Sequence, residues 1–246
     1  MRRLEKCQYA RMTDMTPFQQ RQLALMRQME QSFHSNRNTA TIVPMQSDFA
    51  NDPQMALTAV SYLPKPLIDT ITKLIIQPLK NIEQDFYYYP PEAMHITIQN
   101  VRVIHNPPQF TAEDIDIARS VFRQAALNIN PFPFALQGVL SMPTSVSIIA
   151  LGTPEYNSFV KRLRRDLTNA HVPDDKSYFT DELVFANATI CRYTHEPSDV
   201  FIQKLQELRD QYIGDVVINE TALVTMNASA NRSKTTILET YQFGQK

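Results

Sequence analysis

An internal repeat constrains this chain more than any other feature of its sequence. Segment 56–81, ALTAVSYLPKPLIDTITKLIIQPLKN, has the pattern of a strand, a proline-marked turn and a helix. Segment 145–170, SVSIIALGTPEYNSFVKRLRRDLTNA, has the same pattern, and its Pro154 lies 90 residues after the equivalent Pro64. Self-similarity at a fixed offset is the signature of a duplicated structural unit. The chain is therefore predicted to fold as two related halves.

Each half continues in the same order after its first helix. An aromatic-rich irregular stretch follows, DFYYYPPE at 85–92 and DDKSYFTDE at 174–182, and leads into a second strand. A second helix comes next, with Thr111 and Asp114 as a capping pair in the first half and Ser198 as a cap in the second. An apolar strand then closes each half, so the order strand, helix, strand, helix, strand occurs twice.

The predicted fold class is α+β with two pseudo-symmetric lobes. Short strands with alternating polar and apolar flanks favour mainly antiparallel sheets, each backed by helices on one face. The uncovered faces of the two sheets are expected to meet across a central cleft. The repeats span about residues 55–140 and 145–246, and their lobes are interleaved in one bilobal domain over 55–246.

Residues 1–54 are predicted to form a helical appendage and a connector outside the repeat. The helix covers 16–34, where Thr16 is the N-cap, Pro17 suits the first turn and Gln19 completes a capping box. Segment 35–54 is polar and weakly patterned, which is typical of a connector. The helix needs an apolar partner, because its apolar residues recur at helical spacing: Phe18, Leu25, Met26, Met29 and Phe33.

Composition narrows the possible surroundings and partners. No run of about 20 apolar residues occurs, so no membrane span is expected. The N-terminus lacks the apolar stretch of a secretory signal, which indicates a cytoplasmic location. A net charge of −1 argues against capture of duplex DNA. Cys7 and Cys191 suit reduced thiols better than a disulfide framework. The sequence leaves the oligomeric state open.

One basic cluster, KRLRR at 161–165, is interpreted as the solvated face of a helix. Phe159, Leu163 and Leu167 would form the apolar face of the same helix. No Gly-rich phosphate loop is present among the four glycines, and the histidines and cysteines show no zinc-ligand spacing. Neither a metal nor a cofactor is expected.

The stretch PPEAMHITIQN at 90–100 carries the candidate chemistry. His95 and Thr97 lie two residues apart in a predicted strand, so their side chains point to the same face. The repeat aligns them with Asn187 and Thr189, in the stretch NATICR. Two histidine and threonine pairs facing one cleft could attack a phosphodiester without a metal, because imidazoles transfer protons and hydroxyls stabilise phosphoryl oxygens.

The motif HITI at 95–98 and the paired strand flanks resemble the two-histidine phosphoesterase superfamily, which includes 2′-5′ RNA ligase-like and RNA 2′,3′-cyclic phosphodiesterase proteins. The resemblance covers about residues 55–246. It implies a bilobal α+β fold, a small nucleotide or RNA terminus as partner, and metal-independent action on a 2′,3′-cyclic phosphate or a 2′-5′ linkage. Thr189, Ile190 and Arg192 match the second family motif, whereas Asn187 stands where the family has histidine.

The resemblance assigns a role to each matching residue. His95 is the predicted general base or acid, and Thr97 and Thr189 are hydroxyl donors to the phosphoryl oxygens. Asn187 is a neutral donor that contacts the substrate, and Arg192 is a phosphate ligand. On a regular strand Arg192 would face away from Asn187, so a twist or bulge is required. Tyr87 and Tyr89, just before the first motif, are the remaining candidate substrate contacts.

Asn187 leaves three functional hypotheses open, because an amide cannot exchange protons. The chain could be an enzyme with His95 as its sole proton-transfer residue. It could instead bind a nucleotide or phosphate with little or no turnover. Thirdly, it could be an interaction module with a vestigial cleft and the N-terminal helix as its working surface. His105, His171 and His195 are poor substitutes for the missing imidazole, since their positions suit surface or capping roles.

Overall fold

A computed structural model describes residues 15–34 and 40–244 of this chain. Cys7 lies outside the described residues, and Cys191 is a buried free thiol. The helices are α1 (Pro17–His34), α2 (Lys65–Ile71), α3 (Gln77–Lys80), α4 (Ala112–Ala126), α5 (Pro154–Asn169) and α6 (Asp199–Glu207). A π-helical segment (Thr72–Ile76) joins α2 to α3, and 3-10 turns form at Pro91–Ala93 and Arg232–Lys234.

The strands are β1 (Met55–Tyr62), β2 (Tyr87–Tyr88), β3 (His95–His105), β4 (Phe132–Met142), β5 (Ser145–Leu151), β6 (Ala186–Arg192), β7 (Tyr212–Ile218), β8 (Glu220–Met226) and β9 (Thr236–Gln242). The predicted capping residues are confirmed. Thr111 and Asp114 form a capping box on α4, and Ser198 caps α6 by accepting from the amide of Phe201. β7 is a strand that the sequence repeat did not predict.

Two antiparallel sheets contain these strands. The first sheet, sheet A, has the order β3-β1-β8-β9, and the second, sheet B, has the order β2-β6-β5-β4-β7. The orders correspond position by position, with β3 equivalent to β6 and β1 to β5. Next to β1 in sheet A and next to β5 in sheet B lies a strand from the other half, β8 and β4 respectively. The predicted α+β fold with two pseudo-symmetric, mainly antiparallel sheets is confirmed.

One large apolar core unites the two sheets and their helices. Leu57 and Ile96 of sheet A, Ile148 and Ile190 of sheet B, and Leu163 of α5 all belong to it. Strand β3 at the edge of sheet A packs beside β6 of sheet B. The two motif strands are therefore neighbours, which is the arrangement that the repeat predicted. Within the described ranges, no helix has both the length and the apolar character that a membrane crossing needs.

Helix α1 lies on sheet B. Met26 and Met29 pack against Leu140, Ile149 and Leu151 in a second, smaller apolar cluster. Ile149 pairs with Asn187 across the β5 and β6 ladder, and paired residues share a face. Helix α1 therefore covers the face of sheet B that carries Asn187. The predicted capping box is present, since Thr16 and Gln19 exchange side chain to backbone hydrogen bonds of 3.1 and 3.3 Å.

Polar contacts also fix α1 to the sheet. Arg27 donates hydrogen bonds of 2.8 Å to the carbonyl of Val139 and 2.6 Å to the carbonyl of Arg209. Glu30 accepts from the amide of Ser141 at 2.9 Å and forms an ion pair with Arg209 at 2.8 Å. The apolar stripe of this helix is thus committed to its own domain. An exposed working surface, as the third hypothesis requires, is not formed by that stripe.

The described part of the predicted connector, residues 40–54, is integrated into the fold. Thr41 donates its amide to the carbonyl of Ser177 at 3.0 Å, and its hydroxyl accepts from the amide of Ser177 at 2.9 Å. The carbonyl of Val43 accepts from the hydroxyl of Thr144 at 2.7 Å. Phe49 is fully buried against the ring of Tyr87. This segment therefore forms part of the wall around the face of sheet B.

Candidate functional site

A bulge in β6 places Asn187, Thr189 and Arg192 on one face of the strand. Asn187 pairs with Ile149, Thr189 with Ser147 and Arg192 with Ser145, while the register shifts between Thr189 and Cys191. Ile190 and Cys191 are consecutive buried residues on the other side. A bulge adds one residue to a strand and so reverses the parity beyond it. The sequence required a twist or bulge for Arg192 to face the same way as Asn187, and this bulge provides it.

Ser147 of β5 connects the two polar side chains of the second motif. Its Oγ accepts a 3.0 Å hydrogen bond from Asn187 Nδ2 and lies 3.2 Å from Thr189 Oγ1. Because Ser147 Oγ already accepts from Asn187, its own proton is free to go to Thr189. The hydroxyl proton of Thr189 is then available to a ligand. Sequence reasoning missed Ser147, although it faces the motif across the ladder.

These residues line a cavity of about 180 Å³ on the covered face of sheet B. Three cations, Arg164, Lys176 and Arg192, border it, and none of the described residues that line it is acidic. A wall with three positive charges and no acidic lining residue favours an anionic guest. Apolar and aromatic side chains form a second part of the wall, from residues 40–43 and from Met29, Leu140, Met142, Phe179, Leu183 and Phe185. The cavity thus combines a cationic wall with an apolar one.

Arg164 corrects the interpretation of the basic cluster at 161–165. Lys161 and Arg165 are exposed, and Phe159, Leu163 and Leu167 are buried, as predicted for an amphipathic helix. Arg164, however, turns inward and lies 3.6 Å from the ring centroid of Tyr178. This is cation–π geometry, which holds the guanidinium at the cavity wall. One member of the cluster is therefore part of the site.

Arg192 is held from behind by two oxygen atoms. Its Nε donates to the hydroxyl of Tyr89 at 2.9 Å and to the carbonyl of Ala228 at 2.8 Å. Its guanidinium also lies 5.6 Å from the ring centroid of Phe49. No hydrogen bond within the described ranges uses its two terminal nitrogens. A fork anchored through Nε presents those terminal donors together, which suits two oxygens of one phosphoryl group.

Tyr87 and Tyr89 lie behind Arg192 and do not line the cavity. Tyr89 is only 4% exposed, and its hydroxyl donates to the carbonyl of Ala228. Burial raises the pKa of Tyr89 above its ordinary value. Tyr87 is half-buried and packs edge-on against Tyr89, with ring centroids 5.7 Å apart. Tyr89 thus contacts Arg192 directly, and Tyr87 contacts Tyr89.

His95 is the first residue of β3 and is fixed as one tautomer. Its Nδ1 lies 2.7 Å from the carbonyl oxygen of Ala93. A carbonyl can only accept, so Nδ1 carries the proton and Nε2 has a free lone pair. Burial lowers the pKa of His95 below 6.5, and the positive charge of Arg192 lowers it further, against the opposing effect of the Ala93 bond. The imidazole is therefore neutral at pH 7 and can accept a proton.

His95 and Thr97 point to the same face of β3, as the sequence predicted, since they pair with Tyr62 and Val60 without a register shift between them. Neither lines the cavity with Asn187 and Thr189. Arg192 is close to both motifs. It lines the cavity with Asn187 and Thr189, and its positive charge lowers the pKa of His95. The structure thus brings Asn187, Thr189 and Arg192 together in one cavity and places His95 close enough to Arg192 for its charge to act on the imidazole, whereas Thr97 lies outside the cavity lining.

Lys176 is the functional candidate that sequence reasoning missed most clearly. It is half-buried and lines the cavity from the loop between α5 and β6. Burial, with Arg164 next in effect and Arg192 adding to it, lowers the pKa of Lys176 to about 8, although the charge of Asp174 opposes them. The only signal in the sequence was its place in the second aromatic-rich stretch, DDKSYFTDE.

The other histidines do not join this site. His105 and His195 are exposed, and Nδ1 of each forms a hydrogen bond with a nearby backbone carbonyl. The partner of His105 is Pro107 at 2.9 Å, and that of His195 is Glu196 at 3.0 Å. His171 is exposed just after α5 and also lies outside the cavity lining. Within the described part of the chain, no group of three His, Cys, Asp or Glu side chains could hold a metal ion.

The two antiparallel sheets, backed by helices, have the LigT-like fold of several solved structures. Escherichia coli LigT, in its complex with ATP, is 12% identical to this chain with a TM-score of 0.52, and the match covers 78% of this chain and 99% of LigT. TT0787 of Thermus thermophilus is 14% identical with a TM-score of 0.55, over 76% of this chain and 97% of that protein.

ATU0111 of Agrobacterium tumefaciens, a conserved protein of unknown function, is also similar. It is 14% identical with a TM-score of 0.58, and the match covers 82% of this chain and 94% of that protein. No family model and no curated protein matches the chain. The fold that the resemblance implied is thus confirmed from structure, at an identity where sequence comparison alone found no relative.

Proposed function

We propose that this chain is a metal-independent phosphodiesterase-like protein for a small nucleotide or an RNA-terminal phosphodiester, a 2′,3′-cyclic phosphate or a 2′-5′ linkage. The cationic wall of Arg164, Lys176 and Arg192, next to Asn187 and Thr189 and free of acidic residues, carries this proposal. The aromatic wall offers Phe179 and Phe185 to a base or ribose. Structures of LigT hold ATP and NADP+, which supports a nucleotide as the guest.

The proposed roles follow from the protons that each group can give or take. His95 is neutral with a free Nε2, so it removes a proton from the attacking water or hydroxyl. Thr97 and Thr189 donate to the phosphoryl oxygens as negative charge builds on them. Asn187 adds a neutral donor, and Arg192 binds two oxygens with its terminal nitrogens. Tyr89 positions Arg192 from behind.

A binding function without efficient turnover is the second candidate. Asn187 favours it, because its amide is already engaged with Ser147 and cannot protonate a leaving oxygen. Losing a general acid typically costs about 10²- to 10⁴-fold in rate. The anion site would then serve recognition, and every contact named above except proton transfer to and from His95 would remain in use.

Hydrolysis assays separate the two candidates. Adenosine 2′,3′-cyclic monophosphate and a 2′-5′-linked diadenosine are offered to the wild type, to His95→Ala and to His105→Ala. His105 is an exposed histidine on the same strand and serves as the matched control. Turnover that is lost in His95→Ala and kept in His105→Ala supports the enzyme. Turnover that survives His95→Ala removes this histidine from the mechanism.

Calorimetry decides the case in which no turnover is found. Adenosine 3′-monophosphate is titrated into the wild type and into Arg192→Met. Binding that depends on Arg192 supports recognition without catalysis, whereas the absence of binding leaves only an interaction role for the domain. Asn187→His then tests the vacated position, because a second imidazole should raise the rate on the cyclic nucleotide if the site still holds a phosphodiester.

A further inference from the structure

We propose that Lys176 is a second proton-transfer residue of this site and protonates the leaving ribose oxygen, a step that Asn187 cannot perform. This inference rests on the phosphodiesterase function proposed above. It assigns a catalytic role to a residue outside both threonine motifs.

The position of Lys176 is well defined. Its amide donates to Oδ1 of Asp174 at 3.1 Å, and the next residue, Ser177, is held to Thr41 by two backbone-involving hydrogen bonds. Its ammonium lies 5.7 Å from the ring centroid of Tyr178. No hydrogen bond within the described ranges occupies that ammonium. The backbone is thus pinned while the charged end borders the same cavity as Asn187 and Thr189.

The charges around Lys176 come from three elements. Arg164 approaches from α5 and Arg192 from β6, while Asp174 lies on the same loop. Helix α1 and residues 40–43 contribute no charged residue to the cavity lining. Two guanidiniums and burial outweigh the single carboxylate, so the pKa of the ammonium falls to about 8. Lys176 is then mostly protonated at pH 7, yet it gives up its proton far more readily than an exposed lysine.

Lys176 and His95 form a matched acid and base. The pKa of His95 lies below 6.5 and that of Lys176 at about 8, so near pH 7 one is neutral and the other charged. Titratable groups whose surroundings separate their pKa values in this way define acid and base roles. Arg192 borders both, since its charge lowers both pKa values. A phosphoryl group bound at Arg192 would therefore lie near both residues, with His95 as the base and Lys176 as the acid.

The proposed step balances without a cofactor. His95 Nε2 takes a proton from water as the water oxygen forms a bond to phosphorus. The bond from phosphorus to one ribose oxygen breaks, and its electron pair stays on that oxygen. Lys176 Nζ gives the oxygen its proton, so the products are a nucleoside phosphomonoester, a neutral amine and an imidazolium. Proton exchange with solvent then restores both groups.

The test measures kcat and KM on adenosine 2′,3′-cyclic monophosphate from pH 5 to pH 10 for wild type, Lys176→Gln, Lys176→Arg and Lys161→Arg. Lys161 is an exposed lysine that donates to the carbonyl of Glu182 and is the matched control. We expect a bell-shaped wild-type profile whose alkaline limb falls near pH 8. Lys176→Gln should lower kcat about 10²- to 10⁴-fold.

Lys176→Arg separates proton donation from charge. It keeps the positive charge and the fold, so KM should stay near the wild-type value, but arginine does not release its proton and kcat should remain low. A second substrate, thymidine 5′-(4-nitrophenyl phosphate), has a leaving group that needs no proton. Its turnover should therefore be affected much less by Lys176→Gln than that of the cyclic nucleotide.

The outcomes are distinguishable. A wild type without turnover overturns the phosphodiesterase function and the role of Lys176 together. Turnover that requires His95 but has the same kcat and alkaline limb in Lys176→Arg overturns only the role of Lys176. Equal losses on both substrates would mean that Lys176 binds the phosphate and does not donate a proton. Loss of kcat with an unchanged KM in Lys176→Arg supports the proposal.

Discussion

Arg164 Nε donates a 2.9 Å hydrogen bond to Gln99 Oε1, which ties helix α5 to the strand that begins with His95. The amide of the same glutamine donates to Asp174 at 2.7 Å and to the hydroxyl of Tyr178 at 3.1 Å. Gln99 thus connects β3 to the wall of the cavity. Burial at this junction raises the pKa of Asp174 above its ordinary value. Burial also raises the pKa of Tyr178, to about 12.

Gln99→Leu should destabilise the protein by about 1–3 kcal/mol, because it leaves buried donors and acceptors without partners. Gln99 is only 1% exposed, so water cannot replace the lost bonds. Urea unfolding followed by circular dichroism measures the effect. Gln203→Leu, at an exposed position of α6, is the control and should change stability by less than about 0.5 kcal/mol. Equal stabilities of the two variants would contradict the structural role of Gln99.

Ser147→Ala should weaken nucleotide binding while leaving the fold intact. The change removes the acceptor of Asn187 Nδ2 and the partner of Thr189, so both side chains lose their fixed orientation. Calorimetry with adenosine 3′-monophosphate should show a loss of about 5- to 150-fold in affinity, the equivalent of about 1–3 kcal/mol. Ser158→Ala, on the exposed face of α5, should bind like wild type. Unchanged affinity in Ser147→Ala would separate Ser147 from the site.

Arg192→Met should raise the pKa of His95, since Arg192 adds to the effect of burial in lowering it. NMR titration of the imidazole Cε1 proton follows this directly. The same variant should bind inorganic phosphate about 10- to 150-fold more weakly, because a charge-assisted hydrogen bond contributes about 1.5–3 kcal/mol. Arg165→Met, at an exposed position, is the control. An unshifted His95 resonance in Arg192→Met would show that the two residues do not interact.

Lys176→Met should stabilise the protein at pH 7. The pKa of Lys176 is about 8 in the folded chain against an ordinary 10.5, so the fold disfavours its charge. Between these values the unfolded chain binds more protons, and the wild-type free energy of unfolding should rise with pH across that window. The variant should lose this slope. Urea unfolding at pH 7 and pH 10 measures the stability of each variant and its change with pH, with Lys161→Met as the exposed control. A wild-type free energy of unfolding that does not rise between these pH values would contradict the lowered pKa of Lys176.

Met26→Ala should destabilise the protein by about 2–5 kcal/mol through loss of packing between α1 and sheet B. Met26 is only 1% exposed and belongs to the cluster with Leu140, Ile149 and Leu151. Thermal unfolding should show a clearly lower midpoint for Met26→Ala than for Gln28→Ala, which lies on the exposed face of the same helix. Equal midpoints would mean that α1 is not part of the cooperative fold.

Local patterns in the sequence predicted most of the fold. The capping residues of α1, α4 and α6, the strands that carry His95 and Asn187, and the alternation that favours antiparallel sheets are all consequences of neighbouring residues. β7 was missed because no strand at its place in the first half was available for alignment. The strand at the equivalent position of sheet A is β9, which follows β8 in the chain, whereas β7 precedes β8.

Long-range contacts set the limit for predicting the site. The motif identified Asn187, Thr189 and Arg192, but the bulge that aligns them depends on pairing with β5. Arg164 was assigned to solvent because helical periodicity describes only one helix, whereas Gln99 and Tyr178 attract its guanidinium from other elements. Lys176 lies in an irregular loop without periodicity, so only the folded chain brings it to the cavity. The roles assigned to His95, Thr97, Asn187, Thr189 and Arg192 stay predictions.

The exchange of β4 and β8 between the sheets has a consequence for any attempt to divide this protein. A cut at Pro143 would leave β1 and β3 on one fragment and β8 and β9 on the other, so sheet A would be severed along the β1 and β8 ladder. Sheet B would lose three ladders, those of β2 with β6, β4 with β5 and β4 with β7. Neither fragment could complete a sheet by itself, and the two should regain structure only when mixed, as complementing partners.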